Sequence, residues 1–136
     1  MFHRILNESQ VEPQDCPFPA VGRVSLSVLT GARSLGPTIF KVTMEPNAII
    51  PAHYHKNSTE VIYILEGDFI NEVEEKHAPG TMLQVRPGTP HGPHTTNTGC
   101  IFLLLWTGHT GWSDFHVVKT PSDVLQRILR EDTYRS

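Results

Sequence analysis

Cysteine is scarce in this sequence: Cys16 and Cys100 are the two thiols among 136 residues. One lies in a proline-rich N-terminal stretch and the other opens an apolar run. Such a pair matches neither a disulfide framework nor a thiolate metal site. Both side chains are therefore expected to be reduced thiols, as in a cytoplasmic protein.

Long apolar runs are also missing from the sequence. No stretch approaches the roughly 20 residues that a transmembrane helix needs, and the N-terminus lacks the apolar segment of a secretory signal. The 11 basic residues are scattered and the net charge is −3, so there is no basic stripe for nucleic acid. The sequence predicts a cytoplasmic protein with neither a membrane nor a nucleic acid as its partner.

Proline and glycine, by contrast, are numerous, at 11 and 10 residues, which suits short strands joined by turns. Alternating apolar segments recur about every 8–12 residues between turn signals, the pattern of a sandwich or barrel. The run Cys100–Trp106 is apolar on both faces and is predicted to be buried on both. The predicted strands cover residues 21–30, 38–44, 60–65, 69–74, 81–85, 100–106 and 112–118.

These segments are interpreted as one all-β domain over residues 1–136. Prolines in residues 1–20 predict an irregular arm that lies on the domain or on a partner subunit. Residues 21–118 are predicted to form a β-barrel. A threonine N-cap followed by proline, and then apolar residues at helical spacing, predict an amphipathic C-terminal helix over residues 121–131.

Two histidines and a glutamate are grouped in the middle of the chain. His53 and His55 share one face of a predicted strand, because alternate side chains of a strand point the same way. A short polar turn then leads to Glu60, which opens the next strand. Two imidazoles and a carboxylate on one sheet face can hold a divalent metal ion with open positions. The alternative is a pair of exposed loop histidines beside a surface glutamate.

A third histidine follows a strand that starts at Gly80 and ends at a Pro-Gly turn. A strand returning across a barrel can place His91 opposite the His53–His55 pair. His94 stands three residues further on, beyond a Gly-Pro pair that breaks strand alternation. It can be a general acid or base at the cavity mouth, another metal ligand or a surface loop histidine, and the Gly-Pro pair favours the loop.

The first of these segments, Asn47-x5-His53-x-His55-x4-Glu60-x6-Gly67, resembles the first motif of the cupin superfamily. Asparagine stands here where that motif usually has glycine. The resemblance implies a double-stranded β-helix, a jelly-roll-like barrel. It also implies a single divalent metal ion inside the barrel.

The second segment, Gly80-x5-Arg86-x-Gly88-x2-His91-x3-Thr95, resembles the second cupin motif, with arginine and threonine for the usual proline and asparagine. The resemblance implies four metal ligands: His53, His55, Glu60 and His91. For Glu60 two roles stay open, a direct ligand or a carboxylate that orients a ligand histidine. The metal is expected to be Fe(II), with Zn, Ni or Mn as alternatives.

A narrower likeness rests on ILEGDF, on the Pro-Gly-x-x-His turn and on Gly99-Cys100 before an apolar strand. That combination is similar to the subgroup that contains the cupin domains of zinc-binding anti-sigma factors and the acetylacetone-cleaving dioxygenases. The anti-sigma factors carry a separate helical domain for which this chain is too short.

The substrate pocket is predicted from side chains that share a face with the expected ligands. Ile62 and Ile64 lie on the face of Glu60, and one face of the late strand has to line the cavity. A small, partly hydrophobic molecule is expected in such a pocket. The candidate pocket residues are Tyr54, Ile62, Ile64, Phe102, Leu104 and Trp106.

The preferred function is that of a metal-dependent enzyme, a non-haem iron dioxygenase acting on a small diketone or a phenolic or otherwise enolisable substrate. Glu60 and His94 are its candidate catalytic residues. One alternative is a non-catalytic zinc- or small-ligand-binding module. Another is an isomerase, decarboxylase or lyase that uses the same metal site. Cupins commonly pair through their outer sheet, so the resemblance implies a homodimer.

Overall fold

The computed structural model describes residues 5–30, 37–108 and 111–118. Within these ranges the chain is almost entirely strands and turns, with two short 3-10 segments at Glu8–Gln10 and Gly111–Asp114. The C-terminal helix predicted for residues 121–131 lies outside the described residues. In the described ranges no helix is long and apolar enough to cross a membrane.

Twelve strands make up this part of the chain, most of them near the predicted positions. Alternating burial along the long strands agrees with a sheet that has one covered face. The strands are β1 (Gln14–Asp15), β2 (Val24–Val28), β3 (Thr38–Met44), β4 (Ile49–Ile50), β5 (His53–His55), β6 (Glu60–Gly67), β7 (Phe69–Ile70), β8 (Lys76–His77), β9 (Met82–Val85), β10 (His94–Thr95), β11 (Cys100–Trp106) and β12 (Phe115–Val117).

The strands form an antiparallel sandwich rather than a closed barrel. One six-stranded sheet has the order β1-β2-β3-β11-β6-β9, a four-stranded sheet has the order β4-β10-β7-β8, and β12 pairs with β5. The all-β prediction is confirmed, but the described strands divide into three sheets, so the predicted closure is wrong. Very short strands such as β4, β7 and β10 supply too few ladder hydrogen bonds to join the sheets edge to edge.

The apolar strand β11 lies at the centre of the large sheet, between β3 and β6. Its alternate residues Cys100, Phe102, Leu104 and Trp106 are buried, whereas the residues between them are only half-buried. The prediction that both faces are buried is therefore wrong for the outer face. The inner face packs against the four-stranded sheet. Ile50 of β4 and Phe69 of β7 belong to the same hydrophobic core as Phe102.

The N-terminal arm lies on its own domain. Strand β1 pairs with β2 and extends the large sheet by one short edge strand. Beyond it Phe18 is packed against the core, where its ring stacks on Phe115 with centroids 4.7 Å apart. The arm is therefore part of the wall of the interior rather than a free extension.

Two backbone positions explain the glycine pattern of the first motif. Asn47 has a φ of 67°, a left-handed conformation that asparagine tolerates better than most residues, which accounts for its replacement of the usual glycine. Gly67 has a φ of 81°, and a Cβ there would lie 1.9 Å from the carbonyl oxygen of Gly99. No other residue fits at position 67, where the end of β6 crosses the turn before β11.

Candidate metal centre

Strand β5 presents two imidazoles to the interior. His53 and His55 occupy its first and third positions and are each 3% exposed, while Tyr54 between them is half-buried on the opposite face. Glu60 opens β6 and is also 3% exposed. Strand alternation and the polar turn thus bring the three side chains together as the sequence predicts.

A long-range carboxylate fixes the turn between these residues. Asp114, itself buried, accepts hydrogen bonds from the backbone N–H of Lys56 at 2.9 Å and of Asn57 at 3.0 Å. Adjacent β12 pairs with β5, with Phe115 opposite His55. Residues from nearly 60 positions away therefore hold the hairpin that carries the two histidines.

His91 joins the group through backbone pairing with β5. The N–H of His91 donates to the carbonyl of His53 at 2.9 Å, and the N–H of His53 donates back to the carbonyl of His91 at 2.9 Å. This isolated antiparallel bridge places the two imidazoles side by side, with ring centroids 4.2 Å apart. His91 thus lies opposite the β5 pair, where the sequence predicts it.

The four side chains converge on a single point. Their potential ligand atoms all lie within 4.8 Å of one another. Glu60 Oε2 is 3.7 Å from His53 Nε2 and 3.1 Å from His91 Nε2, and it also contacts His55 Nε2. Ligands about 2.1 Å from a central ion span at most about 4.2 Å, so a small contraction is enough for all four to reach one ion.

Backbone carbonyls fix how two of these imidazoles are protonated. His53 Nδ1 lies 2.7 Å from the carbonyl of Pro51, and His91 Nδ1 lies 3.1 Å from that of Thr89. A carbonyl only accepts, so each Nδ1 carries a proton, and in the neutral imidazole each Nε2 then offers a lone pair. Those lone pairs face the Glu60 carboxylate, which also only accepts. A divalent cation satisfies all of these groups together, so the cluster is compatible with one metal ion.

The electrostatics of the cluster favour a cation. Burial raises the pKa of Glu60, but the three imidazoles that contact its carboxylate outweigh burial and hold the pKa well below its usual range. Burial lowers the pKa of His53. For His91 burial also favours the neutral form, but the Glu60 carboxylate raises the net pKa. A buried anion surrounded by imidazoles attracts a positive partner.

His94 is buried beside this cluster, so the favoured surface-loop interpretation is wrong. It begins β10, which pairs with β4 and so carries the side chain inward. Its ring is 5.3 Å from that of His91 and 4.7 Å from that of Phe69. Burial lowers its pKa well below the usual value. Neither ring nitrogen has a hydrogen-bond partner among the described residues.

A small apolar cavity adjoins the cluster and reaches His53, Glu60 and His94. Four of the six predicted pocket residues lie in its wall: Ile62, Phe102, Leu104 and Trp106. Tyr54 does not, because it lies on the outer face of β5, where it stacks on His116 with ring centroids 4.9 Å apart. Ile64 is also outside the wall and belongs to the core.

Six further side chains complete the wall, and the sequence did not single out any of them. Phe115 stacks on the ring of His53 with centroids 4.1 Å apart, and Trp112 packs on Trp106 at 4.9 Å. Only the alternation of apolar residues in the predicted strands could have indicated some of them. The six are Phe18, Leu26, Val42, Ile50, Trp112 and Phe115.

The chain belongs to the cupin family. The family model described as "Cupin domain" matches residues 40–108, which contain the whole four-residue cluster. The class expected from the two sequence motifs is therefore confirmed. The sequence has no match among the curated proteins.

Solved structures with the same fold carry several different functional descriptions. The polyketide cyclase RemF from Streptomyces resistomycificus has a TM-score of 0.70 at 18% identity, with 92% of each chain covered. A putative acetylacetone dioxygenase from Methylibium petroleiphilum has a TM-score of 0.66 at 12% identity, covering 79% of this chain and 78% of its own. A predicted oxalate decarboxylase from Thermotoga maritima has a TM-score of 0.65 at 18% identity, and the match covers 76% of this chain and 98% of that one. At these identities the likeness is one of fold alone.

Proposed function

We propose that this cupin is a metal-dependent enzyme, a non-haem iron dioxygenase that acts on a small, partly apolar diketone or on a phenolic or otherwise enolisable substrate. The observation that carries the proposal is the cluster of three histidines and Glu60 at the wall of an otherwise apolar cavity. Such a cavity accepts hydrocarbon and leaves the metal position as the polar anchor. The names of two structural neighbours, a polyketide cyclase and a putative acetylacetone dioxygenase, also point to carbonyl substrates.

Each residue of the site has a separate task in this proposal. His53, His55, Glu60 and His91 would hold the ion and would leave room on it for other groups. The bound ion supplies Lewis acidity and, as iron(II), oxygen chemistry. His94 orients the substrate through its unpartnered ring nitrogens, and its acid–base role stays a prediction. The stacked Phe115 ring keeps water from the His53 side of the cluster.

A redox-neutral reaction is the second candidate. Polarisation of a carbonyl by Zn, Ni or Mn at the same cluster supports cyclisation, isomerisation, decarboxylation or lyase chemistry without oxygen. The observation that favours it is the match to the polyketide cyclase over 92% of both chains. A non-catalytic zinc- or ligand-binding module is the third candidate, and it predicts binding without turnover.

Metal analysis and oxygen uptake separate these candidates. Protein purified without added metal is analysed for bound ions, then loaded anaerobically with Fe(II) and mixed with acetylacetone or benzoylacetone in an oxygen-electrode cell. The dioxygenase proposal predicts substrate-dependent oxygen uptake. Stoichiometric zinc with no oxygen uptake from any diketone would contradict it, and product formation without uptake would favour the redox-neutral candidate.

A pair of histidine variants tests the site itself. His53→Ala is expected to lose most of the bound metal, because it removes one of three converging imidazoles. His77→Ala is the matched control. His77 lies on β8 of the four-stranded sheet, and its ring hydrogen bonds with the side chain of Asn71 at 3.0 Å and not with the cluster. Unchanged metal content in His53→Ala would rule out the cluster as the metal site.

We also propose that the chain forms a homodimer through the outer face of the large sheet. Three large apolar side chains there are exposed: Tyr63 by 42%, Leu65 by 37% and Met82 by 54%. Tyr63 and Met82 are directly paired across β6 and β9. A second copy of the chain packed on this face would cover them, as the family resemblance implies.

A further inference from the structure

Trp106 is held rigidly at the wall of the metal cavity. It ends β11, is 1% exposed and pairs in register with Glu60 on β6. Its ring lies 4.7 Å from Phe40, 4.9 Å from His55 and 4.9 Å from Trp112, measured between ring centroids. Because aromatic rings surround it on three sides, the indole has little freedom to turn toward another partner.

The indole N–H of Trp106 has no hydrogen-bond partner among the described residues, although the atom is fully buried. An unpaired buried donor costs about 1–3 kcal/mol, and buried tryptophans usually find a partner for this group. The other tryptophan of the chain, Trp112, lines the same cavity without leaving a buried, unpaired N–H. The missing acceptor for Trp106 is therefore to be sought in what the cavity binds.

We propose that Trp106 Nε1–H donates a hydrogen bond to an oxygen of the substrate and thereby selects for it. This inference rests on the proposed function, and it narrows the substrate to a molecule with two oxygens, one for the metal beside His55 and one for Trp106. A neutral donor in a hydrocarbon wall suits a ketone or enol oxygen.

Binding to zinc-loaded protein tests the role of Trp106 without turnover. The probes are acetylacetone and 2-pentanone, which differ by one carbonyl group, and their Kd values are measured by isothermal titration calorimetry. Trp106→Phe keeps an aromatic ring but removes the N–H. We expect it to weaken acetylacetone binding about tenfold and 2-pentanone binding much less. Trp112→Phe is the matched control and is expected to change both Kd values alike.

Nuclear magnetic resonance gives a second readout that needs no folded Trp106 variant. The chain has two tryptophans, so a ¹⁵N-labelled sample gives two indole N–H signals, and Trp112→Phe assigns them. Acetylacetone is expected to move the Trp106 signal downfield, as formation of a hydrogen bond does. A Trp106 signal that stays in place while acetylacetone binds would overturn the inference and leave the metal site and its proposed function intact.

The remaining outcomes are also decisive. Equal acetylacetone affinity in wild type and Trp106→Phe would overturn the role of Trp106 alone. If zinc-loaded wild type binds acetylacetone no better than 2-pentanone, the two-oxygen substrate class is wrong, and the inference falls with it. Loss of the preference for acetylacetone in Trp106→Phe, with its retention in Trp112→Phe, supports the inference.

Discussion

Replacement of Asp68 by asparagine should destabilise the fold by an amount that depends on pH. The Asp68 carboxylate accepts four hydrogen bonds from the loop that precedes β11. Oδ1 takes those from Thr96 Oγ1 at 3.0 Å, from Thr98 Oγ1 at 2.5 Å and from the N–H of Thr98 at 2.9 Å. Oδ2 takes that from the N–H of Asn97 at 3.0 Å. In Asp68→Asn, one oxygen becomes an amino group, which would face the N–H of Asn97.

The magnitude follows from the same contacts. Leaving one buried donor unpaired costs about 1–3 kcal/mol. Burial alone raises the pKa of Asp68, but the hydrogen bonds from Thr98, Asn97 and Thr96 lower it from 3.8 to about 2. That lower pKa in the folded protein corresponds to about 2 kcal/mol. The two figures describe the same interaction, so Asp68→Asn should cost about 1–2 kcal/mol near pH 7.

The pH dependence has a definite sign. Because the pKa in the folded state lies below the unfolded value, the stabilisation is complete above about pH 4 and is lost as the pH falls through about 2. Linkage gives a loss of about half by pH 3. The difference in stability between wild type and Asp68→Asn should therefore shrink as the pH is lowered from 5 to 3.

Urea unfolding of metal-free protein at pH 7, 5, 4 and 3 measures this difference, with a chelator present so that bound metal does not contribute. The exposed Asp15 provides the control, and Asp15→Asn should stay within about 0.5 kcal/mol of wild type at each pH. If Asp68→Asn lowers the free energy of unfolding equally at pH 7 and pH 3, the reasoning is refuted. The loss would then come from altered packing and not from removal of the carboxylate charge.

Four further predictions concern the metal, the backbone crossing and the outer sheet. Glu60→Gln should lower metal affinity at least tenfold in a competition titration with a chromophoric chelator, since it removes the charged ligand. Saturating metal at about 1,000 times Kd should stabilise the wild type by about 4 kcal/mol in thermal unfolding. Gly67→Ala should abolish soluble expression because its Cβ meets Gly99, whereas Gly80→Ala, at a φ of 89° but with open space around it, should fold with a lower Tm. Met82→Lys should convert a dimer to a monomer in light scattering.

Contrary outcomes identify which step is wrong. Glu60→Gln with wild-type affinity would make the carboxylate an orienting group rather than a ligand. Equal Tm values for the two alanine variants would mean that backbone conformation, and not the collision with Gly99, limits Gly67. A wild-type protein that is monomeric at all concentrations would remove the dimer assignment.

Local pattern is sufficient to predict the parts of the site that lie on regular strands. The bounds of β3 and β11 match those predicted from the sequence, and the i, i+2 spacing places His53 and His55 on one buried face. The metal cluster follows because the second motif returns to pair with the first through His91. The strand bounds and the shared histidine face are each determined by residues close to one another in sequence, whereas His91 is predicted from the resemblance of its motif.

The features that the sequence did not predict depend on distant segments. His94 follows a Gly-Pro pair typical of a loop, and only the pairing of β10 with β4 turns it inward. Phe18 lies in a proline-rich arm and reaches the cavity through its stack on Phe115. The division into separate sheets depends on the shortness of β4, β7 and β10. None of these outcomes has a local periodic signal.

Both tryptophans of the chain, Trp106 and Trp112, line the metal cavity. The tryptophan fluorescence of the protein therefore depends on the environment of this cavity alone. An open-shell ion such as Fe(II), Ni(II) or Cu(II) bound by the cluster would quench the emission, whereas Zn(II), with a filled d shell, would leave it bright. The unmodified wild-type protein can thus be titrated with metals and aromatic ligands optically, without an attached label.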